Sequence, residues 1–173
     1  MNGYLLLQSE ELPGVSLRSA TASDCETLRT WKNEHRRAFF LQDTITEDAQ
    51  RQWFDAYSRR PDDAMFMVQA ERETVGCIGI RQRDGQFDVY NVILGQPKFG
   101  GQGVMSRALQ ILVSDARRQS AGDIVARVLT DNPALVWYQK RGFEIVSEFD
   151  SYVVVRLADA RFTPVSVVRR ESS

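Results

Sequence analysis

The segment that most constrains this chain is Gln96-Pro97-Lys98-Phe99-Gly100-Gly101-Gln102-Gly103-Val104-Met105-Ser106-Arg107-Ala108-Leu109. Its glycines, clustered within four residues, run straight into an apolar-periodic stretch, and a strand-like run, Val89-Tyr90-Asn91-Val92-Ile93-Leu94, leads up to them. Glycine admits positive φ and lets a ligand approach the main chain. The first N–H groups of a helix lack intrahelical partners and carry partial positive charge. Strand, glycine turn and helix start together make a cradle for a phosphate or pyrophosphate. Taken alone, the segment fits an ordinary strand-to-helix loop equally well.

A second segment breaks the tie. Asp131-Asn132-Pro133-Ala134-Leu135-Val136-Trp137-Tyr138-Gln139-Lys140-Arg141-Gly142-Phe143 reads as a short helix with Pro133 in its first turn, Asn132 or Asp131 as cap and Gly142 closing it. In this order the two segments resemble the acyl-CoA-dependent N-acetyltransferases of the GNAT superfamily. Their phosphate loop follows Arg/Gln-x-x-Gly-x-Gly/Ala, and their penultimate helix follows Asn-x-x-Ala-x-x-x-Tyr-x-Lys-x-Gly-Phe. The helix pattern is matched at Asn132, Tyr138, Lys140, Gly142 and Phe143. The loop matches at Gly103 and departs at Gly100, where Arg or Gln is usual, and at Met105, where Gly or Ala is usual. A Gly-x-Gly-x-Met variant belongs to the branch holding ribosomal-protein and several amino-sugar acetyltransferases. The match in element order extends over roughly residues 15–157.

At 173 residues with 43% hydrophobic content the chain suits one domain with its own core. We expect that domain over residues 1–158, with 159–173 as a C-terminal tail. There Val165, Val167 and Val168 fit an edge strand or a dimer contact, and Arg169–Ser173 reads as disordered. A net charge of −1 gives no footprint for nucleic acid. No apolar run reaches the length of a membrane span, and Met1–Leu7 lacks a basic start and a long apolar centre, so a cytoplasmic protein is expected. Cys25 and Cys77 fit core positions in a reducing compartment, and with His35 as the single histidine no metal set is expected.

Periodicity and turn signals predict the elements between. Val15–Ser19 reads as the first strand, and Ser23-Asp24-Cys25-Glu26 has capping-box spacing before a helix burying Cys25, Leu28 and Trp31. Thr46-Glu47-Asp48 opens a second helix with Ala49, Trp53, Phe54 and Tyr57 on one face. Strands follow over Met65–Glu71, Val75–Arg81 and Phe87–Leu94, with turns at Glu73-Thr74 and Asp84-Gly85. A helix over Val104–Gln119 turns Val104, Ala108, Ile111, Leu112 and Ala116 inward. Ile124–Leu129 is a strand, Ala134–Arg141 a helix, and Glu144–Phe149 with Tyr152–Leu157 a closing hairpin. The fold class is α/β. The resemblance implies a mixed, mostly antiparallel sheet flanked by helices and splayed between its fourth and fifth strands, with acetyl-CoA in the cleft.

Acetyl transfer to an amine needs coenzyme A held, a neutral acceptor nitrogen, a stabilised thioester oxygen and a protonated leaving thiolate. Backbone N–H groups of Gly100, Gly101, Gln102, Gly103, Val104, Met105 and Ser106 suit the pyrophosphate, with nearby Lys98 as a replacement cation. By the resemblance, Ile93, Leu94 and Gly95 pair with the pantetheine arm and face the thioester oxygen, Gly95 marking a bulge or a close backbone approach. Asn132 and Lys140 belong to the same cofactor set, Asn132 through the pantetheine amides or as a helix cap. Tyr138 is the candidate general acid: a phenol of reference pKa about 10 lies close to a departing thiol. Aromatic packing is its competing role. The family's strand Glu is replaced by Tyr90, which leaves Asp88 or His35 as candidate bases acting through water.

Trp31, Asn33, His35 and Tyr90 are candidate acceptor contacts, because the first two helices and their loop frame the acceptor in such enzymes. Trp31-Lys32-Asn33 and Ile45–Phe54 resemble acetyltransferases of nucleotide-linked amino sugars. The expected acceptor is therefore a primary amine of an amino sugar, nucleotide-linked or free. The α-amine of a ribosomal-protein-type N-terminus is the alternative, and a non-catalytic acyl-CoA-binding module the alternative of another class.

Overall fold

Turn chemistry sets the central meander. Asp84 and Gly85 both adopt left-handed φ, 52° and 75°, which matches the right-handed twist of a two-residue hairpin. The preceding hairpin turns on Glu71 and Arg72, at φ 50° and 68°, and not on Glu73-Thr74, which already belongs to the next strand. The computed structural model describes residues 3–172. Among them nine strands form one sheet: β1 (Tyr4–Gln8), β2 (Val15–Ser19), β3 (Asp63–Ala70), β4 (Glu73–Arg83), β5 (Gln86–Leu94), β6 (Ile124–Leu129), β7 (Phe143–Glu148), β8 (Tyr152–Leu157) and β9 (Val168–Ser172). Their order is β7-β8-β6-β5-β4-β3-β2-β1-β9. Only β5 with β6 is parallel among the described pairs, as expected from the helical crossover that joins them.

Four helices flank the sheet: α1 (Cys25–Glu34), α2 (Glu47–Tyr57), α3 (Val104–Gln119) and α4 (Ala134–Lys140). Helix α3 lays Val104, Ala108, Ile111, Leu112 and Ala116 on one sheet face, in a core with Leu17, Val68, Ile78 and Phe143. Helices α1 and α2 cover the other face, where Leu28, Trp31 and Tyr57 meet Met65, Met67, Cys77 and Ile93. The opening of α1 is set by Thr21 and Asp24: the Thr21 N–H donates to the Asp24 carboxylate at 2.8 Å, and Arg18 grips the same carboxylate with two bonds. The box therefore starts two residues before Ser23, and Cys25 is half-buried while Cys77 is buried. On α2, Trp53, Phe54 and Tyr57 face inward as expected, but Gln50 is buried in place of Ala49, which is exposed.

The two ends of the chain form the far edge. β9 pairs along the whole of β1, from Tyr4↔Ser172 to Gln8↔Val168. Arg169 reaches back to Asp115 on α3 at 2.6 Å. The expectation of disorder over 169–173 is thus corrected for residues 169–172; Ser173 lies outside the described residues. Short alternating strands with many charges give little signal until their partner is known.

Candidate active site

β5 runs beside β6 only through Phe87–Val89, and its remaining length has no partner on that side. A bulge steers it away. Gly79 faces Tyr90 and Cys77 faces Ile93, so Asn91 and Val92 together oppose Ile78, and Asn91 takes a left-handed φ of 48°. The bulge lies at Asn91–Val92, and Gly95 is the close approach: a Cβ there would come within 1.9 Å of the Trp31 indole. The splay expected between the fourth and fifth strands is the β5–β6 splay, since β1 adds one strand to the count.

The splay opens a cleft of about 950 Å³ reaching Lys32, the loop Ala38–Leu41, β5, Arg127 on β6, α4 and Tyr152. The Gly95 N–H donates to Val75 O at 2.8 Å, and the Ile93 carbonyl faces Gly76 on β4. Alternation therefore turns the polar backbone of Leu94 toward the cleft. Leu94 and Val92 line it, whereas Ile93 is buried under α1.

At the glycine loop, Gly101 and Gly103 adopt φ of 73° and 72°, and no atom lies within 4 Å of where their Cβ would be. Both faces are open to a ligand at the start of the 16-residue helix α3. The side chains of Val104 and Met105 are buried in the core, so Met105 is compatible with an N-terminus directed at phosphates. Lys98 is held by Glu73 at 2.8 Å. A cation nearer the helix start is Arg141, whose Nε donates to Ser106 Oγ at 2.7 Å while its guanidinium lies 4.7 Å from the Trp137 ring. These residues fit an anionic ligand of the pyrophosphate kind. Arg141 carries no motif of its own, and the fold alone brings it there.

Tyr138 lines the cleft, wedged edge-on between Trp137 and Phe143 at 5.1 Å from each ring. Among the described residues its hydroxyl has no hydrogen-bond partner. Burial, with the charge of Asp88 adding to it, pushes the phenol well above its ordinary value. Asp88 is 3% exposed and lines the cleft, but its Oδ2 is already met by Arg81 at 2.9 Å and Arg127 at 3.6 Å. Tyr90 shares that face, donates to Asp63 Oδ1 and stacks against Arg81 at 4.5 Å. Burial first, and then Asp63, raise its phenol strongly.

Three expected acceptor contacts are not brought to the cleft. Trp31 is 8% exposed and packs in the core against Gly95. Asn33 clasps the backbone of Ile45 with two bonds, at 2.8 and 3.0 Å. His35 closes α1, its Nδ1 paired with Trp31 O at 2.9 Å. Lys140 is exposed outside the cleft. Asn132 accepts from the Ala134 N–H at 2.9 Å and donates to Ala38 O at 3.2 Å, so it caps α4 and anchors the α1–α2 loop together. Lys32, Arg81 and Arg127 were missed, because isolated basic residues in three distant elements carry no spacing signal.

A splayed sheet with a glycine-cradled helix start and a tyrosine in the splay defines an acyl-CoA-dependent transferase. A family model described as an acetyltransferase (GNAT) domain matches residues 15–144, and the chain belongs to this family of acetyl-CoA-dependent N-acetyltransferases. A comparison with curated proteins finds no match. Among solved structures, FdhC, a nucleotide-linked sugar GNAT, superposes with a TM-score of 0.72 at 14% identity, covering 86% of this chain and 88% of its own. An acetyltransferase from Salmonella typhimurium that modifies the N-terminal serine of ribosomal subunit protein L7/L12 gives 0.67 at 18% identity, covering 94% and 97%. The PaiA N-acetyltransferase from Thermoplasma acidophilum, in complex with coenzyme A, gives 0.67 at 13% identity, covering 83% and 98%. At these identities the likeness is one of fold.

Proposed function

We propose that the chain acetylates the primary amine of an amino sugar, nucleotide-linked or free. The observation that carries this reading is a roof over the cleft. The α1–α2 loop crosses the splay: Phe40 meets Tyr152 of β8 edge-on at 5.1 Å, and Ala38 O is held by Asn132. Phe40 and Leu41 are themselves exposed and the cleft stays partly open. A loop that bridges it favours a compact acceptor over an extended peptide, which needs an unbroken groove. Its walls are aromatic, with Phe39, Trp53, Tyr90 and Trp137 offering apolar faces to a sugar ring.

Bound acetyl-CoA supplies the acyl thioester. Gly101–Ser106 and Arg141 hold its phosphates, and the free backbone of Leu94 and Val92 lines the path of the pantetheine arm. Tyr138 stays protonated throughout the neutral range and donates its proton where the thiolate leaves. Asp88 faces the same space and serves the acceptor amine through water. Release of free coenzyme A, measured across amino sugars, sugar nucleotides and N-terminal peptides, tests the reading. Fastest turnover with an amino sugar or its nucleotide is expected. Faster turnover with peptides than with every sugar amine would replace it with the protein-modifying alternative.

A further inference from the structure

The cleft is far more basic than the chain that forms it. The whole sequence carries a net charge of −1. The cleft is lined by Lys32, Arg81, Arg83 and Arg127 against the single carboxylate of Asp88. Asp88 offers one oxygen to Arg81 and Arg127, and each guanidinium keeps further N–H donors beyond that contact. Among the described residues the Lys32 ammonium meets no carboxylate. It donates to Asn91 Oδ1 at the bulge and lies 4.1 Å from the Phe39 ring centroid. These cations are not part of the phosphate cradle, for none of Gly101, Gly103 and Ser106 lines the cleft. Lys32 and Arg81 are half-buried, whereas Arg83 and Arg127 are exposed. Two cations half-buried side by side are costly when the cleft is empty, and an anion placed against them lowers that cost.

We propose that Lys32, Arg81 and Arg127 bind an anionic group, a phosphate or a carboxylate, carried by the amine acceptor. This rests on reading the cleft as the acceptor pocket and adds a charge requirement to it. The state of Lys32 is consistent with such a role. Burial, and then the charge of Arg81, bring its ammonium down to about 8. Of the titratable groups near it, β4 presents Arg81 and Cys77, while Asp88 and Tyr90 of β5 line the same cleft. Burial pushes the Cys77 thiol up to about 12 and raises the Tyr90 phenol strongly, so both stay neutral near pH 8. An anion against Lys32 therefore binds most tightly below about pH 8, and binding above it draws in a proton.

The test saturates the protein with coenzyme A, so that the glycine cradle is filled, and titrates two probes by calorimetry at pH 7. Inorganic pyrophosphate represents a phosphate-bearing acceptor and malonate a carboxylate-bearing one; the tighter probe identifies the source. Both Lys32→Met and Arg127→Gln should weaken that probe tenfold or more, with coenzyme A affinity held within twofold as the measure of an intact fold. Lys32→Arg should retain it at pH 9, where the wild type binds more weakly than at pH 7. Neither probe binding at millimolar concentration, or equal affinity in wild type and both variants, overturns the proposal. Anion binding without turnover of any amino sugar would keep the anion site and overturn only the sugar acceptor.

Discussion

Gly95→Ala is a single methyl group added where the structure leaves no space. Gly95 does not adopt a left-handed φ, so alanine meets no backbone penalty there. The new Cβ would lie 1.9 Å from Trp31 Cε2 and 2.2 Å from Cδ2, against a normal carbon contact of about 3.5–4.0 Å. The indole must therefore retreat by about 1.5 Å or more. Its surroundings resist, since Trp31 is 8% exposed in a cluster with Leu28, Tyr57, Met65 and Cys77. Overpacking of a tight core costs about 1–3 kcal/mol, and the short distance to a rigid ring places this change near 3. At about 2–4 °C per kcal/mol for a domain of this size, Tm should fall by about 6–12 °C. Trp31→Leu alone costs about 2–4 kcal/mol by loss of buried ring. In the double variant the added methyl has room, so the combined loss should fall short of the sum by about 1–3 kcal/mol. Urea unfolding of the four proteins in this cycle provides the measurement. A Gly95→Ala change below about 0.5 kcal/mol, or strict additivity with Trp31→Leu, would refute the packing of Trp31 against β5.

Tyr138→Phe should lower turnover by about 10²–10⁴-fold with acetyl-CoA affinity nearly unchanged, in steady-state kinetics; a loss under about threefold assigns Tyr138 to packing. Gly103→Val should abolish coenzyme A binding in a folded protein, because a β-branched residue resists φ 72° and its side chain occupies the open face of the cradle. Unchanged calorimetric affinity would count against that site. Asn33→Ala should lose about 1–2 kcal/mol of stability, since it removes two bonds to the Ile45 backbone and leaves half-buried groups unpaired. A change confined to acceptor KM, with stability intact, would return Asn33 to the pocket. Phe40→Ser should raise acceptor KM several-fold by freeing the roof from Tyr152, and no effect on KM would show that the loop does not enclose the acceptor.

Elements whose cause is local were readable in the sequence. The bounds of β2, α3, β6 and β8 are those expected, because apolar periodicity and flanking turn residues act over a few positions. The Asp84-Gly85 hairpin and the left-handed glycines of the loop follow from backbone preference alone. Where two local signals compete, the error is small: Glu71-Arg72 turns in place of Glu73-Thr74 because no glycine marks it, and the Asn91–Val92 bulge is hidden inside an otherwise regular apolar run.

What the sequence by itself determined is the motif frame: a phosphate cradle on a helix start, a tyrosine helix after it, and a meander before it. Tertiary structure decided which side chains meet across that frame. Lys32 reaches Asn91 across 59 positions, Asn132 reaches Ala38 across 94, and Asp88 draws Arg127 from a neighbouring strand. The same packing took Trp31, Asn33 and His35 out of the expected acceptor site and into the core, a loop clasp and a helix end. The physical reason is range. Backbone preferences and periodicity are written within a few residues, whereas a charge or an aromatic ring acts on whatever the folded chain places beside it, and its position in the sequence carries no trace of that neighbour.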